Sequence, residues 1–344
     1  MKNHVIEAID LGFGYSKYTV NGKPNIMPSL AVLNSNRHVE GEYLESADVV
    51  AVRVDDVEYL VGPEIEKIAT TETKVLNRDY VSSAQYKALC YGCLSKMGHT
   101  EIDYLAVGLP NNNYERMKGT LQKLLQGKHK ISKKLTVHVK KVLVIRQPIA
   151  GLIQYAQDQS KFDEMKESRT LRLDFGYFST DWIVADGFTP VENLCDASDT
   201  GAYSIYNQVM RHLNETVIPD MELDKLESSD YARLDKGLRT GNLRLCGQKI
   251  PLDGVVDGHK KHKPVENIIF QVSRQAIMDC RNNIGESAKT IDKITMGGGS
   301  APMYLKAVKE AFPNHDVHEE TEGQYSNLLG LRFAALSHAE HVDS

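Results

Sequence analysis

The fold is decided by the stretch AIDLGFGYSKYTV at residues 8–20. Its apolar start predicts a buried strand, and Gly12 and Gly14 predict a tight turn into a second strand. Backbone N–H groups that converge in such a turn form a nest for an anion. Asp10 repels a bare phosphate but can hold a hydrated Mg²⁺ that carries one, and Lys17 supplies a mobile positive charge. The pattern therefore predicts a phosphate site, with an ordinary hairpin as the alternative for these residues alone.

The composition is that of a globular protein of about two domains. The chain has 344 residues, 41% of them hydrophobic and 25% charged, and its net charge of −5 gives no argument for nucleic-acid binding. Of five cysteines only Cys90 and Cys93 have CxxC spacing, so we expect buried thiols in a reducing cytoplasm, not a zinc site. The sequence contains no apolar run of about 18 residues and no signal-peptide pattern, and we expect no membrane contact.

A second stretch, TLRLDFGYFSTDWIVA at residues 170–185, repeats the first design. It contains a strand that ends near Asp174, a turn with Gly176, and a returning strand. Two such hairpins predict two structurally repeated α/β halves, with a ligand where the halves meet. The other predicted elements are strands within residues 5–62 and at 104–110, 136–145 and 291–296, and helices at 80–98, 114–125, 149–157, 201–214, 268–284, 303–311 and 326–339, whereas residues 215–267 are expected to be polar and variable.

Five motifs stand in order along nearly the whole chain. They are D-x-G-x-G-x-x-K at 10–17, QPIAG at 147–151, D-x-G-x-x-S-T-D at 174–181, GGGS at 297–300 and GLRFA at 330–334. Their order and spacing resemble the actin/Hsp70/sugar-kinase ATPase superfamily, which has two phosphate hairpins, two connecting helices and an adenosine loop. The resemblance implies a ribonuclease H-like α/β fold with two repeated domains around a nucleotide cleft, domain I at 1–150 plus 326–344 and domain II at 151–325.

Within this superfamily the chain is most similar to bacterial plasmid-segregation actins of the ParM/StbA type. A lysine at the end of the first hairpin, here Lys17, is typical of actins and ParM-like proteins, and Gln147 on the first connecting helix also suits them. Actin-like proteins of plasmid PRTRC gene clusters are a close variant, since they favour aromatic residues where Tyr177 and Phe178 stand. These aromatics replace the usual Gly and Thr, so we expect slow hydrolysis or a shifted nucleotide.

The resemblance implies a role for each motif. Asp10 and Asp174 would organise Mg²⁺ through its waters, and Gln147 would orient the attacking water. Without the other motifs, Gln147 would be interpreted as a helix cap, and Asp181 is expected to fix its own hairpin. Three glycines at a strand-to-helix junction are costly without a ligand. The other predicted contacts to ATP or GTP are Lys17 and the N–H groups of Gly12, Phe13, Gly14, Gly176, Tyr177 and Phe178 for the phosphates, and Thr200, Gly201, Gly297, Gly298, Gly299 and Ser300 for the ribose and base.

The same resemblance implies a nucleotide-dependent filament that segregates plasmid DNA through a DNA-bound adaptor protein in the cytoplasm. One alternative is a small-molecule kinase of this fold, which needs an acidic base near Gln147 that the sequence does not offer. Another is a non-polymerising ATP-dependent scaffold, although the tail at 337–344 is too polar for a membrane-binding helix. The basic run at 259–263 is expected to be a solvated loop, with a partner contact as the lesser interpretation.

Overall fold

The computed structural model describes residues 4–34, 47–69, 80–252 and 264–343. The basic run at 259–263 lies outside these ranges. Within them, two mixed β-sheets carry the two predicted hairpins, and each sheet is covered by its own hydrophobic core. The repeated α/β architecture predicted from the two hairpins is therefore confirmed.

The first sheet is built around the first hairpin. Its strands β1 and β2 are antiparallel, and β1 is parallel to β7, which is parallel to β9. The strand order is β3-β2-β1-β7-β9-β8. The strands are β1 Ile6–Leu11, β2 Tyr15–Val20, β3 Lys23–Pro28, β7 Glu101–Leu109, β8 Gly127–Lys130 and β9 Thr136–Arg146.

The second sheet repeats this connectivity. Here β10 is antiparallel to β11 and parallel to β16, which is parallel to β17, in the order β12-β11-β10-β16-β17. A further strand, β13, pairs with β11. The strands are β10 Arg169–Phe175, β11 Thr180–Asp186, β12 Thr189–Pro190, β13 Asp196–Ser198, β16 Lys293–Gly297 and β17 Val317–Glu319.

Two small sheets and a set of helices complete the described chain. In the described part of residues 215–267, which were expected to be polar and variable, the chain forms a helix and a hairpin. The small sheets contain β4 Val32–Leu33, β5 Val50–Val54 and β6 Val57–Val61, and β14 Leu243–Leu245 and β15 Gln248–Ile250. The helices are α1 Ala84–Met97, α2 Asn111–Leu125, α3 Gln147–Asp158, α4 Phe162–Lys166, α5 Ala202–Thr216, α6 Tyr231–Thr240, α7 Pro264–Ile284, α8 Ala301–Ala311 and α9 Ser326–Asp343.

Local signals fix several of these boundaries. Asn21 and Gly22 both have positive φ, 49° and 77°, as the predicted two-residue turn between β2 and β3 requires. Helix α1 starts after Ser83, whose side chain accepts a hydrogen bond from the N–H of Tyr86, and it ends at the left-handed Gly98. Among the described residues, no helix is long and apolar enough to cross a membrane.

Helices α3 and α9 cross each other between the two sheets. Helix α3 follows the last strand of the first sheet, and α9 follows the last strand of the second but packs on α3, β1 and β7. The crossing is close because a Cβ on Gly330 would lie 1.8 Å from the carbonyl oxygen of Ala150. The packing thereby brings the N-terminal turns of α3 and α9 under the two hairpins.

Candidate functional site

A cavity of about 1030 Å³ lies between the two hairpins and extends along α5 and α6. Thirteen of the sixteen predicted site residues line it, whereas Thr200, Gly201 and Gly297 do not. The thirteen are Asp10, Gly12, Phe13, Gly14, Lys17, Gln147, Asp174, Gly176, Tyr177, Phe178, Gly298, Gly299 and Ser300.

In the first hairpin Asp10 is 1% exposed and has two side-chain donors. The Nζ atom of Lys17 lies 3.0 Å from its Oδ2, and the Nε2 atom of Gln147 lies 2.6 Å from its Oδ1. Burial disfavours the charge on Lys17, but the adjacent Asp10 carboxylate holds the pKa of Lys17 above its usual value. The first hairpin therefore contains a buried ion pair oriented by an amide.

In the second hairpin Asp174 accepts a hydrogen bond of 2.7 Å from the Nδ2 atom of Asn327. Burial raises the pKa of Asp174, and the guanidinium of Arg172 opposes that rise. Arg172 is fully buried, forms an ion pair with Glu320 and donates to the Oγ atom of Ser326 over 3.0 Å. A network of buried polar groups thus supports Asp174 from below the cavity.

Asp181 lines the same cavity, which the sequence analysis did not predict. Its Oδ2 atom accepts from the Ser179 hydroxyl over 2.7 Å, and its Oδ1 atom accepts from the N–H of Asn111 over 3.3 Å. Burial raises the pKa of Asp181 to about 7. An acidic group that the sequence analysis did not count among the site residues therefore lines the same cavity as Gln147.

The two turns are closed by the same backbone hydrogen bond. The N–H of Gly12 donates to the carbonyl of Tyr15 over 3.1 Å, and the N–H of Gly176 donates to the carbonyl of Ser179 over 3.0 Å. These two N–H groups were expected to bind phosphate, but in the structure they close their own turns. The physical reason is that each glycine is paired with the residue three positions on, at the closed end of an antiparallel hairpin.

Aromatic side chains join the tips of the two hairpins. The rings of Phe13 and Phe178 have centroids 5.1 Å apart, and Phe13 also stacks on Tyr80 at 5.1 Å. A Cβ on Gly14 would lie 2.9 Å from Tyr177, so only glycine fits beside that ring. The aromatics that distinguish the second turn are therefore packed directly against the first.

The glycines of the GGGS motif have a different reason from the expected one. Gly297 packs against Arg172, whose Nη2 atom would lie 2.0 Å from a Cβ. Gly298 has φ +91°, and a Cβ there would lie 2.3 Å from the carbonyl of Phe175. Close packing within the protein therefore requires these two glycines without a ligand. At Gly299 there is space for a Cβ, and its carbonyl accepts a hydrogen bond of 2.8 Å from Arg239. The Ser300 hydroxyl donates to the carbonyl of Phe175 over 3.0 Å.

Thr200 and Gly201 were expected near a ribose, but in the structure they form hydrogen bonds with the second hairpin on the side away from the cavity. The Thr200 carbonyl accepts from the hydroxyl of Thr180 over 2.8 Å, and the Gly201 N–H donates to the carbonyl of Phe178 over 3.0 Å. A Cβ on Gly201 would lie 2.5 Å from the carbonyl carbon of Phe178. Both residues therefore fix the shape of the turn without facing the cavity.

The far wall of the cavity was missed by the sequence analysis. Tyr203 and Tyr206 of α5 and Tyr231, Asp235 and Arg239 of α6 line it. Asp235 accepts from the Tyr206 hydroxyl and, over 2.8 Å, from Arg239. The available signal was the spacing of four that places the α6 residues 231, 235 and 239 on one helix face. Aromatic rings beside charged groups offer both apolar surface and polar partners to a ligand.

The residues fit a hydrated Mg²⁺ with a phosphate-bearing nucleotide. Asp10 and Asp174 offer one carboxylate from each hairpin, and Mg²⁺ keeps several waters while it binds one or two carboxylates and phosphate. Lys17 adds a cation, and the volume is adequate for a cofactor-sized ligand.

Comparisons with known proteins show which proteins the chain resembles. Residues 8–149 match the family model described as the N-terminal domain of actin-like proteins. This part of the chain is therefore similar to the N-terminal domain of actin-like proteins, and the whole chain has the actin-like fold. No curated protein matches the sequence at a significant level.

Three solved structures illustrate the likeness. An archaeal actin homolog in complex with ADP is 14% identical over 97% of this chain and 99% of that chain, with a TM-score of 0.77. An apo pSK41 ParM protein is 19% identical over 100% of both chains, with a TM-score of 0.71. A 15-stranded ParM filament from Clostridium botulinum is 17% identical over 98% of this chain and 100% of that chain, also with a TM-score of 0.71. ParM proteins are thus among the proteins whose fold this chain shares.

Proposed function

We propose that this chain binds Mg²⁺–ATP between its two hairpins, hydrolyses it and assembles into filaments. The observation that carries the proposal is the convergence of Asp10 and Asp174, one from each repeated half, on one large cavity. An ADP complex among the similar structures supports a nucleotide as the ligand, and a ParM filament among them supports assembly. The base contacts available on α5 and α6 suit ATP and also GTP.

When bound, Mg²⁺ would neutralise phosphate charge. Asp10 and Asp174 would hold its waters, and Lys17 would be shared between Asp10 and the phosphates. Gln147 already donates to Asp10, which leaves its carbonyl oxygen as the acceptor that orients an attacking water. Its role is to position that water, because phosphoryl transfer depends mainly on alignment and charge stabilisation.

Assembly would follow from domain closure. We assign residues 1–150 plus 326–344 to domain I and 151–325 to domain II, and a ligand that touches both hairpins draws the domains together. Closure changes the surfaces at the two ends of the subunit, and a head-to-tail contact that does not close on itself builds a filament. Loss of the γ-phosphate removes contacts that favour closure, so subunits are shed.

The proposed cellular role is the segregation of plasmid DNA in the cytoplasm, through a DNA-bound adaptor protein that the filament moves. Electron microscopy and light scattering with ATP, GTP and no nucleotide test the assembly part. Filaments should form with nucleotide and persist longer with a slowly hydrolysed analogue. Monomers or small closed oligomers at tens of micromolar protein with every nucleotide would instead support the non-polymerising scaffold.

One observation favours a second candidate, a small-molecule kinase of the same fold. Asp181 lines the cavity with a pKa of about 7, so near neutral pH it can accept a proton from an acceptor hydroxyl. A screen of ATP consumption with sugars and other polyols separates the candidates. Stimulation that Asp181→Asn abolishes would support the kinase, and turnover that no polyol alters would support the ATPase.

A further inference from the structure

We propose that Asn327 is the positioning residue of Asp174, as Gln147 is the positioning residue of Asp10. This inference rests on the proposed function, because it takes Asp10 and Asp174 as the metal-binding carboxylates of a nucleotide site. The hydrogen bond itself is tested without nucleotide.

The two amide contacts are equivalent in the repeated fold. Gln147 is the first residue of α3, which follows the last strand of the first sheet, and Asn327 is the second residue of α9, which follows the last strand of the second. Gln147 donates to Asp10 over 2.6 Å, and Asn327 donates to Asp174 over 2.7 Å. Each connecting helix therefore presents an amide from its first turn to one hairpin aspartate, and the contact from α9, which packs on the first sheet, reaches across to the second hairpin.

The side chain of Asn327 is held by its surroundings. It is 7% exposed and packs over Gly151, where a Cβ would lie 2.7 Å from its Oδ1 atom. That oxygen has no hydrogen-bond partner among the described residues. The orientation of the amide is thus fixed by Asp174, because the reversed amide would turn its oxygen toward a carboxylate.

Asp174 needs such a donor more than Asp10 does. Across the strand pair Asp10 faces Lys17, whereas Asp174 faces Asp181. The second hairpin therefore has no lysine of its own at this place, and Asn327 supplies the hydrogen bond that holds the carboxylate toward the cavity. Groups that orient metal-binding carboxylates commonly contribute ~10–100-fold to metal affinity or activity.

The first test uses the nucleotide-free protein and measures hydrogen exchange of asparagine side-chain amides by NMR. The amide of Asn327 should exchange ~10-fold or more slowly than that of the exposed Asn242, because a buried hydrogen bond must open first. The protection should fall in Asp174→Leu and, as a smaller variant that also lacks an acceptor, in Asp174→Ala. Equal exchange at Asn327 and Asn242, or protection that neither variant changes, would overturn the inference.

The second test measures ATP affinity with Mg²⁺ and with EDTA. Asn327→Leu should lose ~10–100-fold of the affinity that depends on Mg²⁺ and little of the affinity in EDTA. The matched control is Asn242→Leu, the same substitution at an exposed asparagine that does not line the cavity. An unchanged Mg²⁺ dependence in Asn327→Leu would contradict the inference. If the wild-type protein bound no ATP, the proposed function would fail, and the exchange experiment would still decide the role of Asn327.

Discussion

The two hairpins share one backbone design but differ in the charges that face their aspartates. Both turns are closed by a glycine N–H, and in both a residue seven positions after the aspartate stands opposite it. That residue is Lys17 in the first hairpin and Asp181 in the second. The first hairpin is therefore charge-balanced without a ligand, whereas the second holds two carboxylates.

The difference explains why the two aspartates are supported differently. Asp10 has a lysine and an amide, but Asp174 has the amide of Asn327 and, at a greater remove, the buried Arg172. Burial raises the pKa of both Asp174 and Asp181, which marks the second hairpin as the half that gains most from an incoming cation. A repeated fold can thus place a charge-balanced aspartate in one hairpin and two carboxylates without a balancing lysine in the other.

The largest expected effect comes from removing the lysine that balances the first hairpin. Lys17→Met leaves Asp10 buried with only the Gln147 amide, and breaking a buried ion pair typically costs ~3–5 kcal/mol of stability. Urea denaturation at pH 7 measures the loss, and Lys23→Met at an exposed position is the control. Equal stability of the two variants would show that the pair does not distinguish the first hairpin.

The converse change, Asp181→Asn, should stabilise the second hairpin, because it removes one of the two carboxylates that face each other there. In the folded chain the pKa of Asp181 is about 7, above the ordinary 3.8, so its ionisation opposes folding as the pH rises through that window. A pKa of about 7 in place of 3.8 corresponds to a loss of at most ~4 kcal/mol of folding stability at pH 8.

The comparison is therefore the thermal stability of wild type and Asp181→Asn at pH 4 and at pH 8. The variant should gain stability over wild type at pH 8 and little at pH 4. The same difference at both pH values would mean that Asp181 is not held neutral by its site.

Gln147→Ala tests the role of the Gln147 amide through the rate of ATP hydrolysis. ATP should bind nearly as in wild type, but phosphate release should slow by tens- to a thousand-fold, because one positioning contact is lost. Single-turnover phosphate release is the measurement, and Gln154→Ala on the exposed side of the same helix is the control. If Gln147→Ala matches wild type, Gln147 orients Asp10 but does not position the attacking water.

The smallest effect concerns the aromatic contact between the hairpin tips. A double-mutant cycle with Phe13→Leu and Phe178→Leu should give a coupling of about 1 kcal/mol in stability, as for other aromatic pairs. The loss of this contact is also expected to raise ATP turnover, since Phe178 stands where the resemblance predicts a smaller residue. A coupling near zero would show that the tips do not hold each other.

The parts predicted from sequence are those written in local patterns. Asp10, Lys17 and the turn glycines lie within eight residues, so spacing alone brought them together. Gln147 was found through its place in the motif order. Asn327 was missed because its contact with Asp174 spans 153 residues and depends on how α9 crosses α3.

Two predicted glycines have a packing reason that the sequence did not show. Gly297 and Gly298 were assigned to a ligand, but the atoms that exclude a Cβ belong to Arg172 and Phe175. Local sequence shows that a glycine is needed, while the neighbour that requires it is set by tertiary packing. The sequence analysis also missed the cavity wall that α6 forms after residue 215. The reason is the same, because the face that α6 presents to α5 is set by tertiary packing.

The most direct test of the account is calorimetry of Mg²⁺–ATP binding to wild type, Asp10→Ala and Asp174→Ala. One site per chain is expected for wild type, and each variant should lose ~10–100-fold or more of its Mg²⁺-dependent affinity. Circular dichroism of each variant controls for folding. Affinity and Mg²⁺ dependence unchanged in both variants would contradict the claim that the two hairpins hold one nucleotide between them.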